Sequence, residues 1–200
     1  MFRNFIARQF KRPAGLFGNF SSNVMAKGNR NKYNALIKDM DIQSNDKLLE
    51  IGYGPGIGIQ MISQIHESCV IHGVDFSKLM YKKASKLNKS DIDKNKVQLQ
   101  YGDFLHIPLA QSQYDKIFCL NVVYFWDELN KPFEKSRSLL KTGGSFYIFM
   151  HDANTLIEKK APDSVFNKYS IKQVVAALRS SGFTAIEHYS KKGHYIKAKK

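Results

Sequence analysis

The stretch LLEIGYGPGIGI, residues 48–59, places four glycines and a proline directly behind a short apolar run. Glycine weakens the interior of a strand or helix, so a cluster of glycines marks backbone that turns tightly or that another group approaches closely. The apolar residues before the cluster are typical of a buried strand. This stretch therefore predicts either a plain strand-to-helix turn or a loop that binds a ligand, and the rest of the chain decides between them.

The composition indicates one globular domain. The chain has 200 residues, of which 43% are hydrophobic and 24% charged, enough for a sizeable core. Two isolated cysteines, Cys69 and Cys119, form neither a disulfide framework nor a zinc-binding pattern, and we expect no metal site. The N-terminal residues lack the continuous apolar segment of a secretory signal, and no apolar run approaches the roughly 20 residues needed to cross a bilayer. We therefore expect a cytoplasmic protein.

The formal net charge of +14 is large for this length, and it is unevenly distributed. No acidic residue precedes Asp39, and a second basic cluster, KKGHYIKAKK, occupies residues 191–200. Such a field attracts anions of any kind, including nucleic acid, anionic lipid and phosphorylated small molecules. The charge alone does not choose among these partners.

Apolar runs bounded by turn residues alternate with helix-like stretches along most of the chain. The predicted strands span residues 47–52, 69–75, 97–103, 114–121, 145–150, 184–189 and 194–200. The first five are almost continuously apolar and separated by helices, which indicates a parallel sheet covered on both faces. Only SKKG separates the last two, which indicates an antiparallel hairpin. We predict an α/β fold: a mostly parallel seven-stranded sheet with helices on both faces and a C-terminal antiparallel hairpin at the edge.

Helical periodicity and capping residues place the helices between these strands. Helices are predicted over residues 57–66, 78–88, 126–140 and 171–179, the last with Ser170 as its N-cap. The glycines of KTGG (141–144) and SSGF (180–183) stand where a helix C-cap prefers glycine.

The N-terminal segment differs in character from the rest of the chain. In FRNFIARQF (2–10), the side chains of Phe2, Phe5, Ile6 and Phe10 share one face at helical spacing. Such a helix either packs on its own domain, closes a ligand pocket as a lid, or lies at a membrane surface. Residues 46–200 already make a complete sheet but offer little other material to roof a site. We therefore predict a helical lid segment in residues 1–45 and a ligand-binding domain in residues 46–200.

Two familiar phosphate-binding loops are excluded by the spacing of the glycines. A dinucleotide fingerprint needs a glycine five residues after the first, but that position is Ile57 counted from Gly52 and Ile59 counted from Gly54. A P-loop ends in Gly-Lys-Ser/Thr, and this loop contains no lysine. What remains is an acidic residue followed by alternating glycines: Glu50, Gly52, Gly54 and Gly56.

This pattern resembles the cofactor loop of class I S-adenosylmethionine-dependent methyltransferases, in the broad small-molecule group that includes the ubiquinone and menaquinone methyltransferases. Further family motifs follow in order: Asp75 closes the second strand in GVDFS, Asp103 follows the third in YGDF, and Asn121 ends the fourth in YDKIFCLN. The stretch LLKTGGSFYIF (139–149) resembles the family's Leu-x-Pro-Gly-Gly approach to the fifth strand, with Thr142 in place of proline. The resemblance covers about residues 30–200 and implies a Rossmann-like sheet.

The resemblance also implies S-adenosylmethionine as cofactor and S-adenosylhomocysteine as product. Glycines let the backbone approach the amino-acid and ribose portions of this ligand, and Glu50 suits its cationic end. Asp75 is expected to accept hydrogen bonds from the ribose hydroxyls, and Asp103 from the adenine amine, with Phe76 and Phe104 covering the ring. The predicted cofactor-binding residues are Glu50, Gly52, Tyr53, Gly54, Gly56, Asp75, Phe76, Asp103, Phe104 and Asn121.

Methyl transfer from a sulfonium is an in-line displacement, for which an enzyme supplies mainly proximity and alignment. A general base is needed only if the acceptor must lose a proton. His151, just past the fifth strand, and Tyr124 are the predicted catalytic candidates, and His106 is a further one.

The resemblance implies a small-molecule or lipid-like acceptor, and the basic charge adds peripheral contact with an anionic membrane. An RNA methyltransferase stays open as an alternative for the same charge, although no Asn-Pro-Pro-Tyr sequence follows the fourth strand. A catalytically silent cofactor-binding protein also stays open. Nothing in the sequence indicates an oligomeric state.

Overall fold

The computed structural model describes residues 15–200, with side chains described from residue 28 onward. The apolar face that we predicted for Phe2, Phe5, Ile6 and Phe10 therefore lies outside the described residues. Seven strands form one sheet: β1 (Lys47–Ile51), β2 (Val70–Asp75), β3 (Val97–Tyr101), β4 (Tyr114–Leu120), β5 (Leu140–Met150), β6 (Thr184–Ser190) and β7 (His194–Lys199).

The strands are arranged in the order β3-β2-β1-β4-β5-β7-β6. Strands β1 to β5 pair in parallel, whereas β7 pairs antiparallel with both β5 and β6. The predicted Rossmann-like sheet with a C-terminal antiparallel hairpin at its edge is confirmed. Because β2 and β3 lie on one side of β1 and β4 lies on the other, the strand order reverses between β1 and β4. Open α/β sheets bind their ligands at such a point, at the carboxyl ends of the strands.

The helices are α1 (Gly15–Met40), α2 (Ile57–Ile65), α3 (Lys78–Leu87), α4 (Lys89–Asp93), α5 (Asn130–Leu139), α6 (Ala153–Glu158) and α7 (Ile171–Ser180), and a 3-10 turn spans Val123–Phe125. Helix α7 begins as predicted, because the Ser170 hydroxyl accepts from the Gln173 amide while the Gln173 side chain accepts from the Ser170 amide. Gly182, with φ +85°, follows the end of this helix, where a left-handed residue is expected.

Buried side chains form two clusters, one on each face of the sheet, because neighbouring residues of a strand point to opposite faces. In β4, Ile117 and Cys119 belong to one cluster, and Phe118 and Leu120 to the other. Helices α5 and α7 contribute Phe133, Leu139, Val174 and Leu178 to the first, whereas α1, α2 and α3 contribute Tyr33, Leu36, Ile59 and Met80 to the second. Helices therefore cover both faces, as predicted.

Two boundaries around α5 differ from our expectation. The helix predicted over residues 126–140 begins only at Asn130, and β5 begins at Leu140 instead of at residue 145. Leu140 is already extended and pairs with Tyr114, and a register shift follows between Tyr114 and Lys116. The glycines of KTGG thus lie inside a bulged strand and do not cap a helix. Gly143, with φ +80°, occupies the irregular part of that strand.

Helix α1 joins the core of the sheet. The side chains of Tyr33, Leu36, Ile37 and Met40 are buried in the second cluster, so this helix lies over the same face as α2 and α3. The boundary predicted at residue 45 falls in the short connection between α1 and β1. Among the described helices, none combines the length and apolar character needed to span a bilayer.

Candidate functional site

A cavity of ≈ 410 Å³ opens at the carboxyl ends of β1, β2, β3 and β4. It lies where the strand order reverses, as expected for a ligand site in an open α/β sheet. Seven of the predicted cofactor-binding residues line it: Gly52, Gly54, Asp75, Phe76, Asp103, Phe104 and Asn121. The fold therefore brings together residues from four strand ends that are as much as 69 positions apart in the chain, from Gly52 to Asn121.

Two glycines keep the cavity open at the end of β1. Gly54 has φ +53°, and a Cβ added there would meet no atom within 4 Å, so the space above its backbone is free for a ligand. Gly52 has φ +72°, and a Cβ added there would lie 2.5 Å from Cγ2 of Val122. Glycine at position 52 thus lets the segment after β4 approach the loop, and glycine at 54 leaves room for a ligand.

Tyr53 and Gly56 support the loop without lining the cavity. The Tyr53 side chain is fully buried, and its hydroxyl donates to the Gln100 carbonyl oxygen at 3.1 Å. A Cβ on Gly56 would lie 2.7 Å from Nδ2 of Asn88 and 2.8 Å from Cβ of Ala84, so the missing side chain allows α3 to pack against the start of α2. These two residues, which we predicted to bind the cofactor, therefore fix the backbone of the loop through packing and do not face the cavity.

Asp75 is held rigidly at the end of β2. Its Oδ2 accepts from the Gly54 amide and its Oδ1 from the Ser77 amide, each at 2.8 Å. Burial raises the pKa of Asp75 to about 6, although the two amides favour the charged form and act in the opposite direction. Each carboxylate oxygen keeps a further lone pair. The side chain lines the cavity and can accept hydrogen bonds from ligand hydroxyls there.

The loop after β3 carries Asp103 and Phe104. Oδ1 of Asp103 accepts from the Leu105 amide at 3.0 Å, and Oδ2 lies 2.8 Å from Nδ1 of His106. The Phe104 ring is buried, and the Lys135 ammonium lies 5.3 Å from its centre. His106, which we considered as a catalytic candidate, is exposed beside Asp103.

Lys135 of α5 fastens this loop and was not identified from the sequence. Its ammonium group donates to the carbonyl oxygens of Leu105 at 3.1 Å and Ile107 at 2.7 Å. Burial lowers the pKa of Lys135, whereas the Asp103 carboxylate raises it. Because Lys135 lies about 30 residues beyond the loop in the sequence, no local pattern links the two.

Asn121 ends β4 in the left-handed region, with φ +62°. Its amide donates to the Phe149 carbonyl oxygen at 2.9 Å, and its side-chain Nδ2 donates to Oδ1 of Asn29 in α1 at 3.3 Å. Its Oδ1 is buried and has no hydrogen-bond partner among the described residues. Asn121 therefore lines the cavity and holds a buried acceptor atom without a partner, at the point where α1 reaches the strand ends.

Glu50 lies beneath α1 and does not line the cavity. Its side chain is 0% exposed, and Oε1 accepts from the Tyr33 hydroxyl at 2.6 Å. Burial raises the pKa of Glu50 to about 8, with the Asp75 carboxylate acting in the same direction and the Tyr33 hydroxyl in the other. The carboxyl group that we predicted at the cationic end of the cofactor is thus engaged by a tyrosine 17 residues earlier, which sequence spacing did not indicate.

Neither principal catalytic candidate lines the cavity. Tyr124 is 4% exposed, its ring packs 5.1 Å from Phe125 and 5.4 Å from Phe166, and burial raises its pKa well above the ordinary value. His151 follows β5, with Nε2 3.2 Å from the Lys159 ammonium. Burial, followed by the nearby lysines Lys159 and Lys32, lowers the pKa of His151 to about 4.

The aromatic residues that do line the cavity next to Asn121 are Phe125 and Trp126. Trp126 packs edge-on against Phe133 at 6.0 Å, and its carbonyl oxygen accepts from the Tyr169 hydroxyl at 2.8 Å. These two residues add aromatic surface to the lining of the cavity, beside the residues that we predicted to bind the cofactor.

Comparison with known proteins agrees with this arrangement. A family profile described as a methyltransferase domain matches residues 49–148, half of the chain. The uncharacterized methyltransferase YdaC of Bacillus subtilis is 29% identical over 166 residues, which cover 82% of this chain and 86% of that protein.

Solved structures extend the comparison to the fold. Phosphoethanolamine N-methyltransferase 2 of Haemonchus contortus, in complex with phosphomonomethylethanolamine and S-adenosylhomocysteine, has a TM-score of 0.72 at 16% identity. It is matched over 86% of this chain and 52% of its own, so the present chain spans about half of its length. Geranyl diphosphate C-methyltransferase of Streptomyces coelicolor, with geranyl diphosphate and S-adenosylhomocysteine, has a TM-score of 0.71 at 13% identity, covering 84% and 78% of the two chains. At these identities the likeness establishes the fold.

Proposed function

We propose that the methyl acceptor of this protein is a small or lipid-like molecule. The chain belongs to the family of methyltransferase domains and is an S-adenosylmethionine-dependent methyltransferase. The observation that carries this proposal is the lining of the cavity, which includes, besides Gly54, Asp75 and Asn121, the aromatic residues Phe125 and Trp126. Such aromatic surface suits an organic acceptor that is largely removed from water.

The residues of the cavity fit S-adenosylmethionine. Gly54 leaves free space above the loop, where the amino-acid end of the cofactor would lie. Asp75, fixed by two amides, would accept from the ribose hydroxyls, and Asp103 would accept from the adenine amine. Phe76 and Phe104 line the same part of the cavity and would cover the adenine.

When bound, S-adenosylmethionine supplies an electrophilic methyl group on its sulfonium. The chain's own residues would provide alignment and exclude water, and alignment alone is worth roughly 7–11 kcal/mol in favourable cases. Oδ1 of Asn121, which has no partner among the described residues, would accept a hydrogen bond from a donor on the acceptor molecule and orient it. Within the described part of the chain, the titratable side chains lining the cavity are Asp75, Tyr101 and Asp103, which belong to its cofactor end. This favours alignment over general-base catalysis.

Helix α1 is the element that we propose as a lid over the acceptor side. It contacts the strand ends twice, through Asn29 to Asn121 and through Tyr33 to Glu50. Both contacts join the helix to residues at or next to the carboxyl ends of β1 and β4, between which ligands enter an open sheet. A helix in this position would keep water from the reacting groups, and residues 1–45 would act as the predicted lid segment.

The basic charge motivates an RNA acceptor as the second candidate, and a silent cofactor-binding protein is the third. The test is transfer of a labelled methyl group from S-adenosylmethionine, at a concentration near its Kd, to separated lipid, metabolite and RNA fractions of a cell extract, with Asp75→Asn as the control in which cofactor binding is weakened. We expect label in the lipid or metabolite fraction. Label in RNA alone would overturn the acceptor class, and cofactor binding without any transfer would favour the silent protein.

The positive charge of the chain also bears on where the protein lies in the cell. We propose a cytoplasmic protein that touches anionic membranes through its basic surface, since the net charge of +14 attracts anionic lipid. Sedimentation with vesicles of phosphatidylcholine and phosphatidylserine tests this contact. Binding that disappears in vesicles of phosphatidylcholine alone is expected, and equal binding to both would contradict an electrostatic contact.

A further inference from the structure

We propose that Lys32, His151 and Lys159 form a binding site for a phosphate group on the methyl acceptor, immediately beside Asn121; this assignment rests on the function proposed above. The three residues come from α1, from the segment just after β5 and from the end of α6. None of them lines the cavity described above. They define a second polar site next to it, which we call the phosphate subsite.

The two lysines carry charge that the described residues do not neutralise. Among residues 28–200, neither the Lys32 nor the Lys159 ammonium forms an ion pair. Burial lowers the pKa of Lys32, and the positive charge of Lys159 lowers it further. The two ammonium groups are therefore close enough to repel each other. The nearby carboxylate, Asp152, is engaged elsewhere: Oδ1 accepts from the Thr155 amide at 3.0 Å, and Oδ2 lies 3.7 Å from Nε2 of His194.

His151 adds an unused donor to this group. Its Nε2 lies 3.2 Å from the Lys159 ammonium, which can only donate, so Nε2 accepts and Nδ1 carries the proton of the neutral ring. Nδ1 is buried and has no hydrogen-bond partner among the described residues. A buried donor without a partner costs free energy unless a ligand atom reaches it. The arrangement therefore combines two ammonium groups and one N–H donor from three elements.

A phosphate monoester matches these groups in number and charge. It presents three strong acceptor oxygens and a charge between about −1.5 and −2 at neutral pH. The dianion would also relieve the repulsion between Lys32 and Lys159. The centre of the Phe149 ring lies 5.3 Å from the Lys32 ammonium and 5.5 Å from the centre of the His151 ring, so one apolar side chain packs against both groups.

A shared hydrogen-bond acceptor places the phosphate subsite next to the methyl-transfer site. Oδ1 of Asn29 accepts from the Lys32 ammonium at 3.0 Å and from Nδ2 of Asn121 at 3.3 Å. Lys32 and Asn121 are therefore neighbours through one oxygen atom. An acceptor whose phosphate binds Lys32 would extend its other end over Asn121 into the cavity.

The test is a calorimetric titration of the full chain, saturated with S-adenosylhomocysteine, with inorganic phosphate and with glycerol 3-phosphate. We expect saturable binding that weakens at least tenfold in Lys32→Gln and in Lys159→Gln. Lys32→Arg keeps the charge and should keep most of the affinity. Lys38→Gln, an exposed lysine on the same helix, is the matched control and should bind within twofold of the wild type. Equal phosphate affinity in Lys32→Gln, Lys159→Gln and the control would overturn the subsite.

The source of the phosphate is distinguished by a second arm, in which the same variants are sedimented with phosphatidylcholine vesicles with and without phosphatidic acid. Loss of phosphatidic acid binding in both Lys32→Gln and Lys159→Gln, with Lys38→Gln unchanged, would assign a lipid headgroup, and phosphate effects confined to the soluble probes would assign a small phosphate ester. S-adenosylhomocysteine affinity, measured in parallel, should stay unchanged and reports correct folding. Because the titrations need no turnover, failure of the subsite is separate from failure of the methyl-transfer assay.

Discussion

Replacing Glu50 by glutamine tests whether this carboxyl group keeps its proton in the folded protein. The side chain is fully buried beneath Tyr33 of α1, and burial raises its pKa from the ordinary value of 4.5 to about 8. Glutamine has the same shape, keeps an oxygen that can accept from the Tyr33 hydroxyl, and does not titrate. Glu50→Gln therefore removes the ionisation and replaces one carboxyl oxygen by an amide nitrogen, a change that is the same at every pH.

The sign of the effect follows from proton binding in the two states. Between pH 4.5 and pH 8 the unfolded chain releases the Glu50 proton, whereas the folded protein retains it. The unfolded state then binds fewer protons, so the free energy of unfolding falls with rising pH by about 1.4 kcal/mol per pH unit. From pH 5 to pH 7 the fall amounts to roughly 2–3 kcal/mol, because the unfolded carboxyl group is only partly ionised at pH 5.

Urea unfolding at pH 5, 6 and 7 measures this fall as the difference between wild type and Glu50→Gln. Other groups with shifted pKa values, such as Asp75 and His151, are common to both proteins and cancel in the difference. Glu134→Gln, an exposed glutamate on α5, is the matched control and should follow the wild type at every pH. We expect wild type to lose roughly 2–3 kcal/mol relative to Glu50→Gln between pH 5 and pH 7. A difference that is the same at all three pH values would refute the reasoning.

Further predictions concern the loop, the cavity wall and the N-terminal segment. Gly54→Val should weaken S-adenosylhomocysteine binding at least tenfold by calorimetry, since it fills the free space above the loop and forces a branched residue to φ +53°. Trp126 is the single tryptophan and lines the cavity, so the intrinsic fluorescence should change on titration with S-adenosylhomocysteine and saturate at the calorimetric Kd; a flat titration would place the ligand elsewhere. Lys135→Met should free the loop after β3 and raise the Kd severalfold, measured in the same way. Deleting residues 1–20 should leave cofactor binding nearly intact while abolishing methyl transfer, and full turnover by the truncated protein would contradict the lid.

The fold, and the meeting of Asp75, Asp103 and Asn121 at one cavity, could be predicted because their signals are local. Each strand is a short apolar run, and Asp75, Asp103 and Asn121 each stand at the end of one. Parallel strands bring those ends to one edge of the sheet, so residues far apart in sequence converge in the cavity. The order of the motifs along the chain and their positions at strand ends were sufficient to predict that these residues meet.

The contacts made by α1 could not be predicted in the same way. Tyr33 with Glu50 and Asn29 with Asn121 depend on how a helix crosses the sheet, and no spacing in the sequence encodes that. The same limit applies to His151, whose position after β5 was clear but whose neighbour Lys32 comes from α1. Where tertiary packing decides the neighbours of a side chain, its environment and pKa are visible only in the structure.

The start of β5 illustrates a competing signal. KTGG favoured a helix C-cap on local grounds, but pairing of Leu140 with Tyr114 extends the strand through both glycines. Strand pairing with β4 prevailed over a local preference, because a left-handed glycine fits a bulge as well as a helix end.

The most direct measurement of the central assignment is calorimetric titration of S-adenosylhomocysteine into the wild type and into Asp75→Asn. Asparagine keeps the shape of the side chain and one acceptor oxygen but lacks the carboxylate that faces the cavity. We predict one site with a Kd in the micromolar range or below for the wild type, and a Kd at least tenfold higher for Asp75→Asn. No binding by the wild type, or equal affinity in both proteins, would contradict a cofactor site at Asp75.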